Sequence, residues 1–207
     1  MITVPEPLVR VRHLKSVLAA VDRHPRRPEL RARIGPDLLT AVEEGTGTDW
    51  LPIGHDVAMA GALDAVLGPE GLAAFNREMM RQSLRGPLLS ALVELATQFL
   101  GLDAGAWARW IPRGWVLMFQ GFGRWTIVRR GQAEVRGQGE VTLTLAELPP
   151  VCATDAVWPR SVASTLSGIL PAVGATGTVE LDSVDPLKGT VVYTMRWRAG
   201  RPAGSGG

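Results

Sequence analysis

The spacing of hydrophobic residues changes near residue 114, and this change constrains the fold more than any other sequence feature. Before it, apolar residues recur at the spacing of amphipathic helices. After it they alternate with polar residues, as Val141, Leu143 and Leu145 do, which is typical of a strand with one buried face. This order predicts an α+β fold in which an N-terminal helical layer packs on a twisted, mostly antiparallel sheet.

An apolar stretch over Gly86–Gly101 is predicted to join the two parts as a buried helix. Its apolar residues cover most of the helical circumference, so several partners must pack against it. Pro87 suits a first helical turn, and Gly101 suits the left-handed position after the last. One stripe of this helix would consist of Leu88, Leu92, Leu95 and Phe99.

Proline, glycine and the hydrophobic period divide the rest of the chain into elements. Further N-terminal helices are predicted over Val9–Val21, Glu29–Ile34, Pro36–Glu43, His55–Leu67 and Pro69–Gln82. Strands are predicted over Trp115–Gln120, Arg124–Arg130 and Glu140–Leu145, and one helix, Pro159–Pro171, precedes a C-terminal hairpin that turns at Asp185–Gly189. Residues 1–198 would form a single domain of about five to seven helices and four to five strands, and 199–207 a disordered tail.

The composition is that of an ordinary soluble domain, with 46% hydrophobic and 20% charged residues among 207. No apolar run reaches the roughly 18 residues of a membrane span, and Met1–Glu6 lacks the order of a signal peptide. The lone Cys152 cannot form an internal disulfide. We therefore expect a cytoplasmic protein in which Cys152 acts as a small buried hydrophobe.

Charge is unevenly distributed, although the net charge is only +2. Residues 1–34 hold eight basic and three acidic residues, whereas residues 35–80 hold one basic and eight acidic. The two stretches are predicted to lie against each other or to face solvent separately, with a basic contact surface as the alternative. Because the basic stretch has no interleaved aromatic residues, nucleic-acid binding is not expected.

No catalytic or metal-binding pattern is present in the sequence. His13, His24 and His55 are isolated, and with a single cysteine they lack the spacing of metal ligands. Cys152 has no neighbouring histidine, and no serine lies in a nucleophile-elbow motif. The sequence therefore predicts neither an enzyme nor a cofactor.

Aromatic and sulfur-containing side chains concentrate at the predicted junction of helices and sheet. They form either ordinary core or the wall of an apolar pocket, where methionine adapts to an irregular ligand. Phe99 favours the core, whereas Phe122 lies at a bend between Gly121 and Gly123 and favours the pocket. The candidate ligand-binding residues are Phe99, Trp115, Met118, Phe122 and Trp125.

The order of elements resembles an uncharacterised family of roughly 200-residue proteins expanded in myxobacteria. The resemblance spans residues 8–198 and is carried by Trp50-Leu51-Pro52, Gly86–Gly101, Pro159–Pro171 and the terminal Tyr193–Trp197 strand. That family is distantly similar to haem nitric-oxide-binding domains, vinyl-reductase-type ligand domains and subunits of the TRAPP vesicle tether. The resemblance implies a fold used for ligand binding or subunit contact, and the fold alone assigns no function.

The resemblance also implies where a haem would bind, and the sequence departs from that pattern. The haem-binding relatives use a histidine on a helix just before the sheet, but Gly86–Ile111 contains no histidine. Their Tyr-x-Ser-x-Arg pattern has no match either, because the corresponding stretch reads Trp125-Thr126-Ile127-Val128-Arg129. Haem binding is therefore not expected.

These observations predict a non-enzymatic regulatory or sensory module that acts through protein contact. The partner would be another protein or a second copy in a homodimer, with Val9–Val21 and Pro69–Gln82 as contact helices. The alternative is a carrier or sensor of a small hydrophobic ligand, held in an apolar pocket between helices and sheet. Neither function requires nucleic acid or a membrane span.

Overall fold

A computed structural model of the chain describes residues 6–84, 104–129 and 138–199. The fold is α+β with a helical layer and antiparallel sheets, as the hydrophobic period predicts. The predicted helix Gly86–Gly101, which contains the candidate Phe99, lies outside the described residues, and so does the predicted tail beyond Ala199.

The helical part begins with three helices, and a long fourth helix packs against the first two of them. The fourth is kinked at Gly68, whose φ of 71° lies in the left-handed region, and Pro69 restarts it. This break confirms the predicted division into two helices. The helices are α1 (Val11–Arg23), α2 (Arg27–Ile34), α3 (Pro36–Glu44), α4 (Gly54–Leu84), α5 (Ala104–Ala108), α6 (Ile111–Met118), α7 (Pro150–Ala153), α8 (Val157–Ser167) and a short 3-10 helix (Leu170–Val173).

The main sheet has four antiparallel strands in the order β4-β5-β7-β6. These are β4 (Arg124–Arg129), β5 (Gln138–Ala146), β6 (Ala175–Asp185) and β7 (Thr190–Ala199). Leu143 of β5 pairs with Tyr193 of β7, and both side chains are fully buried. Helix α8 packs against β6 and β7, so it covers the buried face of the predicted C-terminal hairpin.

A second, smaller sheet lies among the helices and is not predicted by the sequence. Its strands are β1 (Leu8–Arg10), β2 (Trp50–Pro52) and β3 (Phe119–Gln120), with β1 in the centre. The strands have two or three residues each, too few to display an alternating period. Because Val9 belongs to β1, the first helix begins at Val11 rather than at Val9.

The prediction of a strand over Trp115–Gln120 is wrong, because this stretch is helical as far as Met118. Pro112 occupies the second position of α6, where its missing N–H costs nothing. A short apolar run has no period that distinguishes a buried strand from a helix. In the structure Trp115 is buried, whereas Val116 and Leu117 are exposed.

Among the described residues, α4 is the one helix long and apolar enough by composition to cross a membrane. The kink at Gly68 divides it into two shorter helices. Both halves contribute side chains to the protein core, including Leu63 before the kink and Phe75 after it.

Candidate functional site

A cavity of about 340 Å³ lies inside the helical layer. It is bordered by α1, α4, α6 and α8, while the main sheet contributes only Met195 among the described residues. Its volume falls in the range of small-molecule pockets. The apolar side chains on its wall include Val17, Met59, Leu63, Met79, Ile111, Val162, Leu166 and Leu170.

Asp56 places a carboxylate on this apolar wall. It lies in the first turn of α4, where the helix dipole favours a negative charge. Its Oδ1 is 3.1 Å from Nε2 of His13, and its Oδ2 accepts a 2.8 Å hydrogen bond from Nε1 of Trp158. Since Asp56 is only 8% exposed and Trp158 2%, this three-residue arrangement is a buried polar cluster that joins α1, α4 and α8.

The pKa of His13 is raised above its ordinary value of 6.5. Burial acts to lower this pKa and is the largest single cause. The negative charge of Asp56 and its hydrogen bond act in the opposite direction, and together they outweigh burial. Asp56 thus favours the imidazolium form of His13 next to the cavity.

We expect stability to fall with rising pH through the titration of His13. Because the pKa is raised in the folded state, the contribution of this pair is complete below pH 6.5 and is lost as the pH passes the raised value. In Asp56→Asn the burial that lowers the pKa of His13 is no longer opposed by a negative charge. The free energy of unfolding of this variant should therefore rise, rather than fall, with increasing pH through the titration of His13. Urea unfolding at several pH values tests this, with His13→Gln as a control that removes the titration. Equal slopes in the wild type and His13→Gln would contradict it.

A second polar contact joins α4 and α8 at the cavity. Nδ2 of Asn76 on α4 donates to Oγ of Ser161 at 2.9 Å and to Oγ of Ser164 at 3.0 Å, both on α8. Asn76 is buried, so these bonds offset the cost of taking its amide out of water. They hold α4 against α8 along the cavity.

The structure places two of the five predicted ligand-binding residues on the cavity wall, namely Trp115 and Met118. Phe122 is half-buried beside the cavity, and its carbonyl accepts a 3.2 Å hydrogen bond from Nε1 of Trp115. Trp125 lies in the core between Trp115 and Tyr193, with ring centroids 5.4 and 5.9 Å away. Phe99 lies outside the described residues, and a ligand-binding role for the five stays a prediction.

The bend around Phe122 has the predicted backbone. Gly121 and Gly123 have φ values of 81° and 79°, which favour glycine. A Cβ on Gly123 would lie 2.7 Å from Nε1 of Trp115, so the bend also lets the indole approach the backbone closely. Phe122 is thereby held against the rings of Trp115 and Phe119.

His13, Asp56 and Trp158 are the site residues that sequence reasoning missed. Asp56 is separated from His13 by 43 positions and from Trp158 by 102. A weak signal was present, since an acidic residue at the start of an apolar helix is unusual on a buried face. The sequence alone does not show which face of α4 is buried at that turn.

Cys152 is buried, as predicted for a small hydrophobe. Burial raises the pKa of its thiol far above the usual range, and the charge of Asp56 adds to this shift. The thiol is therefore protonated at neutral pH and is a poor nucleophile. Within the described ranges, no group of three or more His, Cys, Asp or Glu residues could hold a metal ion.

The fold is similar to that of H-NOX proteins of known structure. A Fe(II) unliganded H-NOX protein from K. algicida aligns over 94% of this chain and 100% of its own, with a TM-score of 0.55 and 9% identity. A variant of Tt H-NOX aligns over 95% and 97%, with a TM-score of 0.58 and 9% identity. A mutant of T. tengcongensis H-NOX aligns over 94% and 100%, with a TM-score of 0.54 and 10% identity.

At these identities the similarity shows the fold alone, and it confirms the predicted resemblance to the haem nitric-oxide-binding fold. Neither a protein-family model nor a curated protein sequence matches the chain. Membership of the myxobacterial family therefore stays a prediction.

The residues at the cavity do not fit a haem. The chain has three histidines, and of these only His13 borders the cavity. Its Nε2 points to Asp56, and its raised pKa favours the protonated form, which has no lone pair to offer iron. His24 and His55 make local backbone hydrogen bonds away from the cavity. None of the three histidines is therefore placed to bind a haem iron in the cavity.

Proposed function

We propose that the protein binds a small apolar ligand in the cavity between α1, α4, α6 and α8, as a carrier or sensor that uses no haem and catalyses no reaction. The observation that carries this proposal is the cavity itself, about 340 Å³ in volume and mainly apolar on its described walls. Apolar surface left open inside a helical layer is stabilised when a hydrophobic ligand removes it from water. Similarity to the H-NOX fold supports the proposal only in that this fold can enclose a pocket.

Native mass spectrometry of the protein purified from its host tests the proposal directly. We expect a bound small molecule that organic extraction removes. The extracted protein should then bind a fluorescent apolar dye, with one site per chain. Absence of both the bound molecule and dye binding would overturn the proposal.

Filling the cavity should weaken binding without unfolding the protein. Ala60 of α4 is buried and borders the cavity, so Ala60→Leu would place three more carbon atoms there. We expect dye affinity to fall roughly tenfold or more and the melting temperature to stay the same or rise, because empty space is filled. Dye titration and thermal melts measure both.

The matched control is Ala58→Leu, which makes the same change on the exposed face of the same helix. It should leave dye affinity unchanged. Equal dye affinities in Ala60→Leu and Ala58→Leu would place the dye site elsewhere.

Contact with another protein or with a second copy is a second candidate function. It is favoured by the side chains of Val116 and Leu117 on α6, which are 64% and 68% exposed. Neighbouring exposed apolar residues often mark an interaction surface. Light scattering after size-exclusion chromatography tests the homodimer. A dimer that Leu117→Ser converts to a monomer would support this function, and a wild-type monomer would count against it.

A further inference from the structure

We propose that the cavity selects an apolar ligand with one hydrogen-bond donor, such as a long-chain alcohol, and that the carboxylate of Asp56 accepts this donor. The inference rests on the proposed function and names the chemical class of its ligand. Its basis is the cluster of His13, Asp56 and Trp158 on a mainly apolar wall.

The free hydrogen-bonding capacity of Asp56 is that of an acceptor. A carboxylate has about four lone-pair positions, and His13 and Trp158 occupy one on each oxygen of Asp56. The indole N–H of Trp158 and the Nε2 of His13 are already engaged with Asp56. A ligand that donates can therefore join the cluster without breaking either bond.

The carboxylate is within reach of a ligand in the cavity. His13 and Asp56 both border the cavity, and 17% and 11% of their side-chain surfaces are open to a solvent probe. Because both residues belong to the cavity wall, part of this open surface is available to a molecule in the cavity. A molecule filling the cavity would cover it.

The charge of Asp56 disfavours an anionic ligand group placed beside it. Among the described residues that border the cavity, Asp56 is the only carboxylate, and His13 and Arg113 are the only basic residues. His13 is already paired with Asp56, and the exposed Arg113 lies over the ring of Trp110, 4.6 Å from its centroid. A ligand carboxylate near Asp56 would be repelled in a poorly solvated site.

A pure hydrocarbon is disfavoured for a different reason. Filling the cavity with hydrocarbon would remove water from the free lone pairs of Asp56 and supply no donor in return. An ether has the same defect, because its oxygen accepts but does not donate. The buried indole N–H of Trp107, which borders the cavity and has no partner among the described residues, could donate to an ether oxygen. Discrimination between an alcohol and an ether is therefore assigned to Asp56 by comparison with a variant that lacks the carboxylate.

The test compares n-octanol with heptyl methyl ether, which is its isomer, and with octanoate. Each compound displaces a fluorescent apolar dye from the extracted protein, and the dissociation constants are obtained from the displacement curves. We expect n-octanol to bind about tenfold more tightly than the ether, the effect of one hydrogen bond to a charged acceptor. Octanoate should bind most weakly of the three.

Two variants assign the preference to Asp56. Asp56→Asn keeps an oxygen for the indole of Trp158 but adds a donor and removes the charge, so the preference for the alcohol should fall to within about twofold. His13→Gln leaves the carboxylate in place and should retain the preference. Each result is the ratio of the dissociation constants of the ether and the alcohol for one variant. A general loss of affinity changes both constants equally and leaves this ratio unchanged.

Histidine-labelled protein provides a second readout by nitrogen-15 NMR. Binding of n-octanol should shift the ring nitrogens of His13, because its partner Asp56 gains a donor, and should leave those of His24 unchanged. Equal affinities for the alcohol and the ether, or tightest binding of octanoate, would overturn the inference and leave the proposed function standing. If the dye and all three compounds fail to bind, the proposed function fails as well.

Discussion

Replacing Trp115 with alanine is expected to lower the free energy of unfolding by roughly 3–5 kcal/mol. The side chain is 5% exposed, and its ring lies against four others. The ring of Phe119 is stacked at a centroid distance of 4.1 Å, and the other contacting rings belong to Phe122, Trp125 and Trp158. Alanine would remove all four contacts and also the hydrogen bond to the carbonyl of Phe122.

The same substitution decides between the two interpretations of the aromatic cluster. Trp115 also borders the cavity, so its removal should enlarge the cavity and change dye binding as well as stability. Urea unfolding and dye titration of one variant measure both effects. Trp110→Ala is the control for residue type, because Trp110 is 42% exposed and should cost much less. A small loss of stability in Trp115→Ala, similar to that of the control, would show that this residue only lines a pocket.

Replacing Asp56 with alanine is expected to cost about 3 kcal/mol or more, because it removes the partner of two buried groups. The indole N–H of Trp158 would lose its acceptor, and His13 would lose the charge that favours its protonated form. Breaking a buried pair from one side is more costly than the net value of the pair, since the remaining group stays desolvated. Urea unfolding near pH 6, where the pair is fully formed, is the measurement.

Asp37→Ala provides the matched control. Asp37 also lies in the first turn of a helix, α3, but it is exposed. Its loss should cost only the roughly 0.3–1 kcal/mol of a charge near a helix N-terminus. Combining Asp56→Ala with Trp158→Phe should cost less than the sum of the two single changes, because both remove the same hydrogen bond. Additive costs would show that the cluster is not an energetic unit.

The H-NOX-like fold of this chain is not accompanied by residues that fit a haem at the cavity. An H-NOX-like arrangement of helices and sheet contains a cavity, and His13, the one histidine that borders it, is paired with the carboxylate of Asp56. In this chain the cavity presents a carboxylate, which accepts hydrogen bonds from His13 and Trp158. The fold alone assigns no function, and the proposed function depends on a few side chains at the cavity wall.

The sequence by itself determined the fold class and most element boundaries. The change in hydrophobic period near residue 114 separates helices from sheet because each period reports the face that an element buries. The kink at Gly68 and the turn at 186–189 follow from local conformational preferences, which neighbouring residues specify without help from the rest of the chain. Such features depend on a few adjacent residues, and a sequence displays them directly.

Only the tertiary structure decided the secondary structure of Trp115–Gln120 and the location of the cavity. A short apolar run becomes a helix or a strand according to what packs around it, and here Phe119 ends a helix by pairing with Val9, far away in the chain. The cavity lies mainly among the helices, and Met195 is the one described residue of the main sheet on its wall. The cluster around Asp56 depends on the same long-range packing, because a buried carboxylate is stable only where distant groups supply its hydrogen bonds. His13 and Trp158 meet it from two other helices, and no local pattern in the sequence encodes that meeting.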